Sequence, residues 1–354
     1  MTHAIDFSNQ EILSLAVSIE DVAKKANVSI STVSRVLNRR NIVNVDTCKR
    51  VESAIRDLGY RPNVFARGLM LRKSNVLGLV LPDLHGEFYS EVIRGANYRA
   101  SELGYQLMIS SVATDDDGSS LLSSVFSQGL VDGVAVMVSQ IDARTKESLT
   151  NVTIPFVVLD GKVEGLKHDS VGIDQSQGAE AMVRHLIDNC KAQRVVFVGG
   201  LETNIDTIER LAAFRSTMES SGLAVKTSDV LHLDYRYETA YQLGLESVAE
   251  WADSDACIFA ANDEMAAGII DAAIEQGISV PHRLRIVGFD DTRIAQMTRP
   301  RLTTVHVPMS SMGASAVELL CQRLDDEKRP NTTLTLQSEL VVRVSCGAVD
   351  RFGS

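Results

Sequence analysis

The chain has 354 residues, 45% of them hydrophobic and 23% charged, with a net charge of −11. That is too long for one ordinary domain and suits two or three soluble globular ones. No apolar run approaches the roughly 18 residues of a membrane span. The opening MTHAIDFSNQEILSLAV carries Asp6 and Glu11 without a basic start, so it does not read as a signal peptide. Cys48, Cys190, Cys257, Cys321 and Cys346 are widely scattered with no CxxC, which argues against a disulfide framework or a zinc site and for a reduced, cytoplasmic setting.

The charge is uneven. Residues 18–74 hold 12 basic and five acidic side chains, net +7, and the remainder holds 23 basic and 41 acidic, net −18. A small basic module on a large acidic body suggests that only the module meets a polyanion.

Three short helices are predicted in the basic module. Ser18 with Asp21 three residues on starts the first, IEDVAKKA, as a capping box, and Ile19, Val22, Ala23 and Ala26 form its inward stripe. Asn27 takes the turn, where its side chain tolerates the left-handed conformation. Ser29 caps a second helix from Ile30 to Asn38, seated by Val28, Val33, Val36 and Leu37. Asn44 caps a third, VDTCKRVESAIRDL, which turns Val51, Ala54, Ile55 and Leu58 inward and ends at Gly59. The second helix is left with Ile30, Ser31, Thr32, Ser34, Arg35 and Asn38 pointing outward. Hydroxyls can reach phosphates, Arg can fork onto a guanine edge, and Ile can meet a thymine methyl. Two short helices across a three-residue turn with such a face describe a helix-turn-helix; a plain packing hairpin is the alternative.

The run SIEDVAKKANVSISTVSRVLN, followed by TCKRVESAIRDLGYRPNVFARGL, resembles the DNA-binding head of the LacI/GalR family of bacterial transcription regulators, ungapped over about 55 residues. The resemblance implies base contacts in the major groove from Ile30, Ser31 and Arg35. It implies phosphate or positioning contacts from Thr32, Ser34 and Asn38, with Ser29 at the cap. It also implies that Pro62 to Leu71 becomes a hinge helix on the operator, with Leu69 wedged into a minor-groove base step and Asn63 and Ala66 at contact positions. Two residues depart from the family pattern: Asn27 replaces the usual turn glycine, and Gly68 lies inside the hinge.

From Ser74 onward, VLGLVLPD, YQLMISS, GVAVMV, FVVLDG, RVVFVGG, ACIFAAN and LRIVGFDD are near-continuously apolar runs of strand length, separated by helical segments. That pattern predicts parallel sheets covered on both faces, with ligands beyond the carboxyl ends of the strands. The polar residues that close these runs are Asp83, Asp160, Asn262, Asp263, Asp290 and Asp291.

The resemblance extends over 75–346. GAEAMVRHLI, ERLAAFRSTMESSGL, FAANDEMAAGII, RIVGFDD and RPRLTTVHVP resemble the family's effector domain, which is similar to periplasmic sugar-binding proteins. It implies two lobes, with crossings near Asp174, Leu302 and Thr333. It places Arg210, Asn262 and Asp290 at the main polar effector contacts, Asp160, Asn204 and Asp206 in the pocket, and Phe88 and Tyr235 at its walls. Carboxylates, amides and one Arg can bond hydroxyls in pairs while an aromatic covers an apolar sugar face. Asp263 and Asp291 read rather as N-caps or lobe-bridging groups, and Arg210 has a structural pairing with a neighbouring Asp as its alternative. The stretch LHGEF lacks the Asn-Pro of many relatives, and Gly161 stands where Arg often follows the Asp.

No GxSxG, P-loop, GxGxxG or HExxH is present, and the seven histidines show no metal-ligand spacing, so neither an enzyme nor a metal or cofactor site is expected. The expected fold is a small all-α helix-turn-helix head plus an α/β effector domain of two doubly wound parallel-sheet lobes. Its expected parts are an extension (1–17), the head (18–61), a hinge (62–74), the effector and dimerisation domain (75–346) and a tail (347–354). The expected function is a repressor that binds a near-palindromic double-stranded DNA operator as a homodimer. A small effector controls it, a sugar or glycoside first, with a purine or nucleoside, a sugar phosphate or a protein as alternatives. A transport-binding protein is the distant rival.

Overall fold

The computed structural model describes residues 17–38, 42–60, 73–111, 130–140, 143–161, 163 and 165–348. The expected hinge contacts Asn63, Ala66 and Leu69, together with Gly68, lie outside these residues, as do nearly all of the extension and most of the tail. Asn38 is placed as the last residue of its helix. The chain divides into two compact units, 1–74 and 75–354.

The first unit contains helices α1 (Ile19–Ala26), α2 (Ile30–Asn38) and α3 (Val45–Leu58). Its local chemistry matches the expectation residue by residue. Ser18 Oγ accepts from the Asp21 amide at 3.2 Å while the Asp21 carboxylate accepts from the Ser18 amide at 2.9 Å, which closes the capping box. Asn27 turns the chain at φ 49°. Asn44 caps α3 through the Asp46 amide, and Gly59 ends it in the left-handed region. Val22, Ala23, Ala26, Val33, Val36, Val51 and Ala54 form the buried core, flanked by half-buried Ile19, Val28, Leu37, Ile55 and Leu58.

The second unit has two parallel sheets. The first runs in the order β11-β5-β4-β3-β1-β2, from β1 (Val76–Leu81), β2 (Gln106–Ser111), β3 (Gly133–Met137), β4 (Phe156–Leu159), β5 (Asp169–Ile173) and β11 (Thr333–Leu336). The second runs in the order β7-β6-β8-β9, from β6 (Val195–Gly199), β7 (Val230–His232), β8 (Cys257–Ala260) and β9 (Arg285–Val287). β10 (Thr304–His306) and β12 (Glu339–Val341) form a separate antiparallel pair. Strands β1, β3, β4, β6 and β8 are buried almost throughout because helices cover both faces, which is why they read as unbroken apolar runs.

Each sheet with its helices is one lobe. The first crossing falls at Asp174, which caps the helix Gln175–Asp188 directly after β5. The other two fall later than expected. Leu302 and Thr303 are fully buried in the second lobe, where the Thr303 amide donates to Ser345 Oγ at 2.8 Å, and the chain continues through β10 before it leaves at 307–308. Thr333 opens β11 in the first sheet, so the last crossing is at 337–338.

Candidate functional site

The outward face of α2 carries Ile30, 44% exposed, with Ser31 and Arg35 exposed beside it. Thr32 and Ser34 are half-buried. Ser29 Oγ lies 2.8 Å from both Ser31 Oγ and Thr32 Oγ1 and accepts from the Thr32 amide at 3.2 Å, so the helix start presents a cluster of mutually bonded hydroxyls. One large apolar side chain left in water beside these hydroxyls and an arginine suits a groove rather than a protein core.

In the second unit a cleft of about 870 Å³, mouth included, opens between the two lobes. All eight residues expected there line it: Phe88, Asp160, Asn204, Asp206, Arg210, Tyr235, Asn262 and Asp290. Strand ends and helix starts supply them. Asp160 closes β4, and Asn204 caps the helix Ile205–Ser220, which carries Asp206 and Arg210 on successive turns. Asn262 caps the helix Asp263–Glu275. Tyr235 packs against Gly200, where a Cβ would come within 1.9 Å of the ring.

Arg210 is the buried centre of the cleft. Its guanidinium stacks on the Phe289 ring at 3.8 Å, donates from Nε to Gln175 at 2.9 Å and bonds the Ala261 carbonyl. Asp290 lies 3.7 Å away and Asp206 4.0 Å away. Gln175 donates its amide hydrogens to Asp206 at 3.2 Å and Asp160 at 3.4 Å. Arg210 therefore lines the cleft and also makes the structural pairing that was its alternative. Asn262 is equally engaged: its oxygen accepts from the Met265 amide and its nitrogen donates to the Tyr235 carbonyl, both at 2.9 Å. Asn204 accepts from the Thr207 amide at 3.0 Å and from the Tyr235 hydroxyl at 3.2 Å.

Two buried carboxyls, Asp160 and Asp290, and the half-buried Asp206 face one guanidinium. Burial pushes Asp160 and Asp290 well above the ordinary carboxylate range, and Asp206 above it too, with Arg210 opposing the rise in each. Carboxyl oxygens so placed accept from ligand hydroxyls. Asp290 Oδ1 is buried and makes no hydrogen bond within the protein. Its backbone sits at φ 109°, and Asp160 and Tyr235 also have positive φ. Such strain gathers where a fold holds groups for a ligand.

Asp263 and Asp291 do not line the cleft. Asp263 accepts from the Thr292 amide at 2.7 Å and from the hydroxyls of Thr304 at 2.6 Å and Thr292 at 3.0 Å, all within the second lobe, and the cap is Asn262. Asp291 pairs with Arg343 and with His306.

Comparison with known proteins agrees with this arrangement. Residues 18–63 match the model of bacterial regulatory proteins of the lacI family, and residues 183–346 match a periplasmic binding protein-like domain. Catabolite control protein A of Priestia megaterium is 35% identical over 331 residues, 93% of this chain and 99% of that one. The chain belongs to the lacI family. Its fold is similar to that of the lac repressor dimer bound to operator and the anti-inducer ONPF (TM-score 0.82, 24% identity, covering 93% of this chain and 99% of that chain). It is also similar to a complex of the transcriptional regulator CelR with cellobiose (TM-score 0.70, 27% identity, covering 93% and 99%).

This lacI-family chain closes the mouth of its cleft with residues that the sequence reading did not assign as contacts. From the LHGEF departure, His85 Nε2 lies 3.6 Å from Glu264, and the Glu87 carboxylate accepts from the Arg293 amide at 2.8 Å. Asp83 accepts from Arg236 at 2.9 Å, and Tyr89 packs edge-on against Phe88. The strand-end rule had marked Asp83. Arg236 and Glu264 sit beside Tyr235 and Asp263, but their partners come from the other lobe, which no local pattern reveals.

Proposed function

We propose that this lacI-family regulator is a cytoplasmic repressor that binds a near-palindromic operator as a homodimer, reads bases through Ile30, Ser31 and Arg35, and is switched by a neutral sugar or glycoside in the cleft. The observation that carries the effector class is Asp290 Oδ1, a buried acceptor that no protein donor hydrogen-bonds although Arg210 lies 3.7 Å away. A ligand hydroxyl supplies the missing donor, and leaving such a group unpaired costs about 1–3 kcal/mol. The one buried guanidinium is already bonded to Gln175 and the Ala261 carbonyl, so it offers no free cation to a phosphate, which favours a neutral glycoside over a sugar phosphate. The CelR–cellobiose complex supports the same class.

In the switch the effector binds two lobe arrangements with different affinity, and DNA affinity shifts only by that difference. A thermal-shift screen of the full chain against monosaccharides, disaccharides, sugar phosphates and nucleosides tests the assignment. Stabilisation by neutral saccharides is expected. Stabilisation by nucleosides or sugar phosphates alone overturns it.

A further inference from the structure

We propose that His185, Cys190 and Cys346 form a zinc-binding site in the second lobe, with solvent as the fourth ligand. The sequence spacing hides it: His185 and Cys190 are five residues apart, and Cys346 comes from the far end of the chain. The helix Gln175–Asp188 carries His185 in its last turn. The chain then reverses, and the Cys190 amide donates back to the His185 carbonyl at 3.2 Å, which returns the thiol to the imidazole. His185 Nε2 lies 3.7 Å from Cys190 Sγ and 3.4 Å from Cys346 Sγ. All three donor atoms fall within 4.8 Å of one another, and all three residues are buried.

These lengths match a metal tetrahedron. With Zn–S about 2.3 Å and Zn–N about 2.05 Å, tetrahedral angles put neighbouring nitrogen and sulfur about 3.6 Å apart. The two observed separations bracket that value. Two thiolates neutralise a dication, so the loaded site buries no net charge. An imidazole with two thiolates is the donor set that zinc prefers over hard, oxygen-seeking cations.

The turns that bear the ligands are fixed by hydrogen bonds other than those of the imidazole and the two thiols. Ser345 Oγ donates to the Ile286 carbonyl at 2.6 Å and accepts from the Thr303 amide at 2.8 Å, which fixes the turn bearing Cys346. Arg285 donates to the Cys190 carbonyl at 2.6 Å. Cys190 and Cys346 also floor a solvent-facing depression that Asp255, His282 and Arg285 border, a route for the ion and for a water ligand. Neither cysteine lines the effector cleft, so the ion pins the turn Val344–Cys346 to the end of the helix Gln175–Asp188 and plays no part in effector chemistry.

Full-length protein, purified reduced and metal-free, is titrated with Co²⁺ and then Zn²⁺. One equivalent of Co²⁺ should bind with a thiolate-to-cobalt charge-transfer band that Zn²⁺ abolishes. Cys190→Ser and Cys346→Ser should each lose that band, and Cys48→Ser and Cys321→Ser should keep it. His185→Asn should weaken binding beyond the roughly 10–100-fold typical of losing a mere supporting group. X-ray absorption of the zinc-loaded wild type should count two sulfurs and one imidazole, a result that needs no variant to fold. A wild type without the charge-transfer band, a shell with fewer than two sulfurs, or folded Cys190→Ser that still shows the band would overturn the proposal.

Discussion

Arg236 donates a hydrogen bond to Asp83 at 2.9 Å across the mouth of the cleft, from a loop of the second lobe to a loop of the first. Both side chains are more than two-fifths exposed, at 43% and 44%. Exposed pairs of this kind contribute about 0–1 kcal/mol, too little to hold the fold. The bond nevertheless exists only when the lobes approach, so its whole value falls on the equilibrium between lobe arrangements.

Arg236→Gln should therefore leave unfolding stability within about 1 kcal/mol of wild type and weaken effector binding by no more than about fivefold. Calorimetric titration beside thermal unfolding checks both. A large loss of stability would show that the pair supports the lobe itself.

Arg210 is different, because its buried guanidinium hydrogen-bonds Gln175 and the Ala261 carbonyl and lies within 4.0 Å of the carboxyls of Asp206 and Asp290. Lysine cannot reproduce that planar fork or its stacking on Phe289. Arg210→Lys, like Asp290→Asn, should abolish the effector response while operator binding persists, as read by fluorescence anisotropy of a labelled duplex. Loss of both responses together would mean that these residues are structural.

Burial pushes the Asp263 carboxyl up to about 7 from an ordinary 3.8, and bonds from Thr304 and Thr292 offset only part of the rise. Between those values the folded chain keeps a proton that the unfolded chain has released. Stability from this group is therefore full below about pH 4, falls as pH rises towards about 7, and is level above that. The fall amounts to at most about 4 kcal/mol. Asp263→Asn should remove this slope, so that urea unfolding at about pH 4.5 and pH 7.5 shows the variant gaining on wild type at the higher pH. A difference that does not change with pH would contradict the shift.

At the head, Arg35→Ala should cost roughly 1–3 kcal/mol of operator affinity and relax preference at one base pair of each half-site. Affinity should also fall steeply with salt, because a basic module of net +7 releases counterions on binding. Binding-site selection on wild type and variant checks the first point, and a salt titration the second. An unchanged preference or a flat salt dependence would count against α2 as the reading surface.

The parts of this fold legible in the sequence were those decided within a turn or two of chain. The capping box of Ser18 and Asp21, the Asn27 turn and the seven apolar strands all rest on local spacing. Strands β5 and β11 were not legible, because what seats them is distant. Asp169 binds Arg323 at 3.0 Å, Arg329 at 2.7 Å and the Thr332 amide at 2.8 Å, which joins β5 to a segment some 160 residues later. The eight cleft residues were placed by resemblance, since spacing alone marked only strand-end polar groups such as Asp160 and Asp290. The mouth contacts of Arg236 and Glu264, like the trio of His185, Cys190 and Cys346, depend on segments meeting in three dimensions and leave no periodic trace.

The most direct test of ligand-controlled DNA binding is the affinity for a selected palindromic duplex, measured for wild type and Arg210→Lys across a panel of neutral saccharides. At least one saccharide should shift the wild-type affinity and leave that of Arg210→Lys unchanged. A panel with no effect on wild type, or an equal shift in both proteins, would contradict the account.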